Sequence, residues 1–333
     1  MKIINNKSFK DLTTFHIGGK IRHLAEIENK DEIAEVVRFA KDNNLKIFII
    51  GGGSDFLVSD KEFEGLVIKF IGSKCNVDGN LVTGEAGMDW DDLVEVTVAN
   101  NLQGMECLSG IPGTVGASPI QNIGAYGQEM SDTFYKLEAY DIKDEKFVTF
   151  NKSECEFGYR ESIFKKKEHW QRYIIVNVTF KLNSDKRKIV IYESLKNIVN
   201  EGSTLEEIRN AVLSTRREKL ENPADFGNAG SFFKNPIIDL AKRDELLRSY
   251  PEAKIFPFKD KFKVFAGWLI ENAGMKGKEL GGAAVSPKHA LILINKTGSA
   301  TASEVYDLSE LIIFKVNEKF GIKLEREVQL INF

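Results

Sequence analysis

From Ser109 to Gly127 the chain reads SGIPGTVGASPIQNIGAYG, a stretch suited to one kind of chemistry. No charged residue falls between Glu106 and Glu129 in a protein that is 29% charged, while glycines recur at 110, 113, 116, 124 and 127. Prolines and polar residues interrupt the run well short of the roughly 20 apolar residues that a membrane helix needs. The pattern fits a loop whose backbone approaches a ligand. Glycine removes Cβ, permits positive φ and leaves bare N–H groups, which form a concave positive surface for phosphate. A second such loop, Gly51-Gly52-Gly53-Ser54-Asp55, follows directly on the apolar run KIFII at 46–50. Neither is a G-x-G-x-x-G opening a helix, and no G-x-x-x-x-G-K-[ST] occurs. Two cradles suggest a bound diphosphate, against the plainer alternative of two unrelated turns in a chain with 27 glycines.

Three further positions have side chains suited to acid–base or charge-stabilising work. Arg160 in FGYRESIFK can pair a carboxylate in bidentate fashion, or be an ordinary surface arginine. Ser231 in GNAGSFFKNP follows two glycines and precedes two phenylalanines, so a small hydroxyl sits where an apolar strand leaves a flexible loop; it can reach a ligand or bond its own turn. In LEREV at 324–328, Glu325 and Glu327 alternate with other residues along a strand, and spacing alone does not choose between them.

GGGSDFLVSD at 51–60 and SGIPGTVGASPIQNIGAYG at 109–127, together with FGYRESIFK, GNAGSFFKNP and LEREV, resemble the bacterial UDP-N-acetylenolpyruvoylglucosamine reductases. That family lies within the vanillyl-alcohol-oxidase and p-cresol-methylhydroxylase class of flavoproteins, and the motifs follow in order over nearly the whole chain. The resemblance implies non-covalent FAD as cofactor and NADPH as co-substrate. It also implies reduction of UDP-N-acetylglucosamine enolpyruvate to UDP-N-acetylmuramate, a peptidoglycan precursor. It assigns the flavin to Gly51, Gly52, Gly53, Ser54, Asp55 and Leu57 in the first loop. In the second it assigns Ser109, Gly110, Ile111, Pro112, Gly113, Val115, Gly116, Ala117, Gln121, Asn122, Gly124, Ala125 and Tyr126. It makes Arg160, Ser231 and Glu327 catalytic, choosing Glu327 because the family's acid directly precedes Val, and it places Tyr159, Tyr192, Arg216, Lys219 and Asn235 near the substrate. Two departures stand out. The chain ends EVQLINF where the family continues E-V-R, which leaves the anchoring of the last strand open. LTTFHIGG near the start replaces a more usual Asn-Thr-Phe, which leaves the role of Thr14 open. A flavin oxidase of the same class and a non-catalytic nucleotide-binding regulator are the competing readings. The first loop lacks the histidine through which covalent-flavin members hold FAD.

The elements that must position these residues are legible from periodicity. A β-α-β opening runs from a strand at 25–28 through a helix ending near Asn43, whose Ile33, Val36, Val37 and Ala40 share one face, to the strand at 46–50. Strands are expected at 65–71, at 134–142 and 146–150, and at 172–182, a hairpin at Asp78-Gly79, and a helix over 89–100. NSDKRK at 183–188 reads as a linker. Beyond it, Thr204–Glu207 and Thr301–Glu304 both match the capping box, with helices to about Lys219 and to Gly321. A strand is expected at 231–234, helices at 236–250 and 266–273, a strand at 290–295 and a terminal strand at 322–331. The expected fold is α+β: two α/β FAD-binding subdomains at 1–71 and 72–200, then a separate α+β substrate-binding domain at 201–333, its terminal strand packing back on the FAD domain.

Composition narrows the partners. A net charge of −3 gives no field for nucleic acid or anionic lipid, so an anionic ligand must meet local cations. MKIINNKSFKDLTTF carries Lys and Asn where a signal peptide needs an apolar core, which reads as a cytoplasmic protein. Cys75, Cys107 and Cys155 are odd in number and scattered, as buried free thiols are, and the four histidines lack metal-ligand spacing. The expected partner is a small-molecule substrate, with no nucleic acid, no membrane, no metal and a monomeric state.

Overall fold

The computed structural model describes residues 2–184 and 195–333. Tyr192 and most of the linker expected at 183–188 lie outside them. The chain forms two compact units that do not follow the boundaries at 71 and 200. One comprises Met1–Lys7, Ile21–Gly53 and Phe63–Glu218; the other comprises Ser8–Lys20, Ser54–Glu62 and Lys219–Phe333.

The first unit holds two sheets over one core. In the first sheet Lys20–Ile27 and Lys46–Ile50 both pair in parallel with Phe63–Phe70, which lies between them. The helix Ile33–Asp42 makes the crossover and buries Ile33, Val36, Val37 and Ala40, the face read from its 3.6-residue period. The second sheet is antiparallel, in the order Lys146–Asn151, Phe134–Asp141, Tyr173–Lys181, Leu81–Glu85, Cys75–Asp78. Its last two strands are joined at Asp78-Gly79, where Gly79 takes the positive φ of +58° that the turn requires. Residues from both sheets and from the helix Trp90–Ala99 share a single buried cluster, with Trp90 edge-on to Phe180 at 5.7 Å. The expected pair of subdomains is therefore a pair of sheets with one hydrophobic core.

The second unit is built around the helix Ala302–Phe320, whose capping box is formed: Thr301 Oγ1 accepts from Glu304 N at 3.2 Å and Glu304 Oε2 from Thr301 N at 2.9 Å. Gly321 ends it in the left-handed conformation. The box at Thr204 is formed too, opening the helix Leu205–Lys219 of the first unit. A four-stranded antiparallel sheet runs Gly227–Ser231, Ile292–Asn295, Ala283–Val285, Glu279–Leu280.

Three expectations are corrected in this unit. The strand placed at 231–234 lies earlier, at Gly227–Ser231, where Gly227, Asn228 and Ser231 pair with Asn295, Ile294 and Ile292 on either side of a bulge. The helix placed at 236–250 is Leu240–Ser249: Ile237–Ile238 pair as a strand and Asp239 caps the helix by accepting from Lys242 N. The terminal strand is only Gln329–Ile331. It pairs in parallel with Phe56–Val58, the strand that follows the first glycine loop.

Candidate active site

In the first unit the two glycine loops are in contact. A Cβ on Gly52 would stand 2.7 Å from Gly113 Cα, and one on Gly51 would stand 2.7 Å from Thr114 Oγ1 and 3.0 Å from Ala117 Cβ. Only bare backbone allows that approach. Gly53 (φ +65°) and Gly113 (φ +136°) also take conformations that side chains disfavour. Among the described residues no backbone acceptor is recorded for the N–H of Gly52, Gly53 or Gly113, so the contact zone presents open donors. Gln121 adds a buried Oε1 with no hydrogen-bond partner, an acceptor waiting for a donor from outside the protein. Open amides and one orphaned acceptor fit a group that combines a diphosphate with a hydrogen-bonding ring, as FAD does.

Not every residue of the central loop faces a ligand. Val115 is fully buried, its N–H donates to Met88 O at 2.9 Å, and Gly116 N–H donates to Ala86 O at 2.9 Å. A Cβ on Gly116 would come within 2.5 Å of Ala86 Cβ, so this glycine is needed for packing on the sheet. Ala117 N donates within its own turn to Thr114 O. Ser109 is buried and donates to Glu106 O. These three amides and one hydroxyl, of residues that the resemblance assigns to the flavin, hold the loop's shape. Leu57, in the second unit, is likewise a core residue with no exposure, in register with Leu330.

Asn122 has a structural task as well. Fully buried at φ +46°, it donates to Glu129 Oε2 at 2.9 Å and Gly158 O at 3.0 Å and accepts from Ser131 N at 3.0 Å. Its side chain is committed to bracing the turn of Gly158, Tyr159 and Arg160. In that turn Gly158 and Glu161 exchange backbone hydrogen bonds, and Arg160 sits at φ +57°, a conformation costing a non-glycine residue about 1–2 kcal/mol. The guanidinium is half-buried: Nη2 donates to Gly124 O at 2.7 Å and Cζ lies 5.4 Å from the Tyr159 ring. Gly124 is small where a Cβ would meet Arg160 Nη1 at 3.1 Å. The plain surface arginine that spacing allowed is thus docked on the central loop. Gly124 and Ala125 pair with Gln128 and Glu129, and Tyr126 turns between them at φ +47°. Arg216 also belongs to this unit, its Nε 3.2 Å from the place of a Gly110 Cβ.

In the second unit Ser231 stands at the end of a bulged strand. The bulge falls between Asn228 and Ser231, where Gly230 takes φ +67° and its N–H donates to Asn228 Oδ1 at 2.9 Å. Bulges re-aim side chains. Here Ser231 is exposed while the next two residues, Phe232 and Phe233, are wholly buried. Its hydroxyl makes no local cap among the described residues. Thr14 braces the bulge, donating to Asn228 O at 2.7 Å and accepting Asn228 N through its carbonyl at 3.0 Å, which settles its place in this unit.

Residues 325–327 run beside 232–234. Glu327 N donates to Phe232 O at 2.9 Å, Phe233 bridges Arg326, and Lys234 N donates to Glu325 O at 2.9 Å. Ser231 and Glu327 therefore lie on neighbouring chain segments. The pairing also separates the two glutamates: Glu325 is exposed and ion-paired to Lys234 at 2.6 Å, whereas Glu327 is half-buried. Asn235 Oδ1 accepts from Ala266 N at 2.9 Å, so half of its amide caps the helix Ala266–Asn272. Lys219 is exposed at its helix end. Gln329, standing where the resembling family has arginine, donates from Nε2 to Asp55 Oδ2 at 3.1 Å and from its N–H to Asp55 O. The last strand is held by that contact, which sequence reasoning had left open.

Among the described residues no cluster of His, Cys, Asp and Glu is placed to hold a metal, and no helix is long and apolar enough to cross a membrane. Burial pushes the Cys107 and Cys155 thiols up to about 12, so neither is a nucleophile at neutral pH.

Known proteins resemble the chain along its whole length. Residues 21–151 match the model of an FAD binding domain, and 222–331 match the UDP-N-acetylenolpyruvoylglucosamine reductase C-terminal domain. The chain is 40% identical to the UDP-N-acetylenolpyruvoylglucosamine reductase of Flavobacterium johnsoniae over 99% of its own length and 100% of that protein. It is 37% identical to that of Pseudomonas aeruginosa, over 97% of each. Its fold matches the crystal structure of the UDP-N-acetylenolpyruvylglucosamine reductase of Thermus caldophilus with a TM-score of 0.70 at 24% identity, covering 99% and 98% of the two chains. The chain belongs to the UDP-N-acetylenolpyruvoylglucosamine reductase family.

Proposed function

We propose that this protein is an oxidoreductase that uses FAD and NADPH to convert UDP-N-acetylglucosamine enolpyruvate to UDP-N-acetylmuramate. The observation that supports it most directly is the glycine bulge, which turns a small hydroxyl to solvent on a rigid strand beside a half-buried glutamate. Bound flavin supplies hydride transfer, from the nicotinamide to the terminal enol carbon. The residues then have three tasks. Addition at that carbon drives negative charge toward the adjoining carboxylate, and the Arg160 guanidinium, a rigid donor fork fixed by Gly124, suits that charge. Glu327 is the acidic partner assigned to the same carboxylate. The Oγ–H of Ser231 is the proton source for the adjacent carbon, and its exposure allows the hydroxyl to regain a proton from water. Lys219, Asn235 and Arg216 are assigned to the sugar diphosphate, as is Tyr192, which lies outside the described residues.

The deciding experiment is an anaerobic spectrum of purified protein. NADPH should bleach the yellow flavin, and the enolpyruvyl sugar nucleotide should restore the colour. Bleaching that is reversed only by air would favour an oxidase, and absence of bleaching would refute the reductase reading.

A further inference from the structure

The site roles leave one buried polar cluster of the first unit unexplained. The helix Leu205–Lys219 presents Arg209, Leu213 and Arg216 at spacings of four and three, a single face. At one end of that face Arg209, only 11% exposed, grips Asp91 in a fork: Nη1 to Oδ1 at 2.5 Å and Nη2 to Oδ2 at 2.8 Å. Asp91 lies in the first turn of the helix Trp90–Ala99, and its Oδ1 also accepts the N–H of Gly110, the first glycine of the central loop, at 2.6 Å. At the other end Leu213 and Arg216 close over the same glycine: a Cβ there would fall 2.8 Å from Leu213 Cδ2 and 3.2 Å from Arg216 Nε.

The two arginines differ in one respect. Arg209 has its carboxylate, whereas among the described residues no hydrogen bond or ion pair is recorded for the Arg216 guanidinium. Desolvation is the main influence on Arg216 and lowers its pKa, while Tyr126 and Asp91 act in the opposite sense. A half-buried guanidinium lacking an anion is costly unless a ligand completes it.

We propose that the Asp91–Arg209 ion pair is a positioning device: it fixes the helix face against Gly110 so that Arg216 is held ready for an anionic group, the diphosphate of a sugar nucleotide. The proposal rests on the assignment of Arg216 to the substrate and adds what holds it in place. Without the fork, the polar tie that runs from this helix through Asp91 to the Gly110 N–H is lost; the apolar packing of Ile208, Ala211 and Val212 with Cys107 and Tyr126 still holds the helix, but the register of Arg216 over Gly110 loses its hydrogen-bonded anchor.

The test uses the FAD-loaded enzyme and the enolpyruvyl sugar nucleotide, with Arg216→Gln, Arg209→Met, Arg209→Lys and the double variant Arg209→Met/Arg216→Gln. Hydrogen bonds to a charged group correspond to about a ten- to hundredfold change each, so Arg216→Gln should raise KM for the sugar nucleotide by about that factor. Arg209→Met should approach the same KM, and Arg209→Lys, which keeps the charge and loses the fork, should fall between it and the parent. In the two single Arg209 variants, flavin reduction by NADPH should change far less than KM for the sugar nucleotide. Because Arg209 acts through Arg216, the double variant should be no worse than Arg216→Gln. An unchanged KM in Arg216→Gln overturns the substrate assignment and the inference together. A raised KM there beside normal KM in both Arg209 variants overturns the inference alone, as do additive effects in the double variant. Equal slowing of both half-reactions with a lowered melting temperature, in Arg209→Lys as well as Arg209→Met, would make the pair merely structural and overturn it too.

Discussion

Gly52→Ala isolates the contact between the two glycine loops. Gly52 does not take a positive φ, so alanine suits its backbone, and the only new element is a methyl group 2.7 Å from Gly113 Cα and 3.2 Å from Gly113 C. Ordinary carbon contacts lie at about 3.5–4.0 Å, so the loops must part by roughly 1 Å, and no side chain can rotate away because the obstacle is backbone. Overpacking of this kind costs about 1–3 kcal/mol of stability. A larger effect is expected on flavin. Spreading the open amides by 1 Å carries a hydrogen bond of about 2.9 Å beyond 3.5 Å, where it no longer counts as one. Each such bond to a charged phosphate contributes about 1.5–3 kcal/mol, so FAD should bind about ten- to hundredfold more weakly per bond lost. Flavin fluorescence, quenched in the holoenzyme and recovered on dilution, measures that affinity. Gly79→Ala is the control: its φ of +58° costs about 1–2 kcal/mol, yet nothing lies within 4 Å of its Cβ and it should leave flavin affinity unchanged. An unaltered FAD affinity in Gly52→Ala, with Gly79→Ala equally normal, would refute the clamp of the two loops on the cofactor.

Other perturbations follow from the same geometry. Ser231→Ala should spare flavin reduction by NADPH and slow reoxidation by the enolpyruvyl substrate by about 10²- to 10⁴-fold; anaerobic stopped-flow on each half-reaction decides it, and equal slowing of both would indicate a damaged pocket. Arg160→Lys keeps the charge and the same backbone strain but loses the fork, so kcat/KM should fall about ten- to hundredfold, whereas parental turnover would remove Arg160 from the mechanism. Asp141 is almost fully buried; burial pushes its carboxyl up, but hydrogen bonds from Arg172 and from the N–H groups of Asp144 and Lys143 outweigh this and hold its pKa below the usual range. Its stabilisation is present above the unfolded value of about 3.9 and is lost as pH falls through the lower folded value. Denaturant titrations from pH 7 downward should show that loss, and Asp141→Asn should flatten it.

What the sequence determined by itself was local or motif-borne. Both capping boxes formed because each rests on two side chains three residues apart, and the Asp78-Gly79 hairpin formed because one residue there needs positive φ. The glycine loops were visible because an uncharged, glycine-rich run in a charged chain has few structural uses. The tertiary structure decided which glycine serves which purpose. Gly52 faces Gly113 while Gly116 packs on Ala86, and those partners lie far apart or on other elements, so spacing carries no trace of them. It also gave Glu325 and Glu327 different surroundings, Glu325 exposed and ion-paired to a segment some 90 residues away and Glu327 half-buried, and showed that Asn122 holds the turn at Gly158 that carries Arg160. The division into units was hidden for the same reason. Ser8–Lys20 and Ser54–Glu62 join the C-terminal unit through long-range pairing such as that of Phe56–Val58 with Gln329–Ile331. Periodicity reports which face of a segment is buried, whereas the partner that buries it is set by contacts that exist only once the chain has folded.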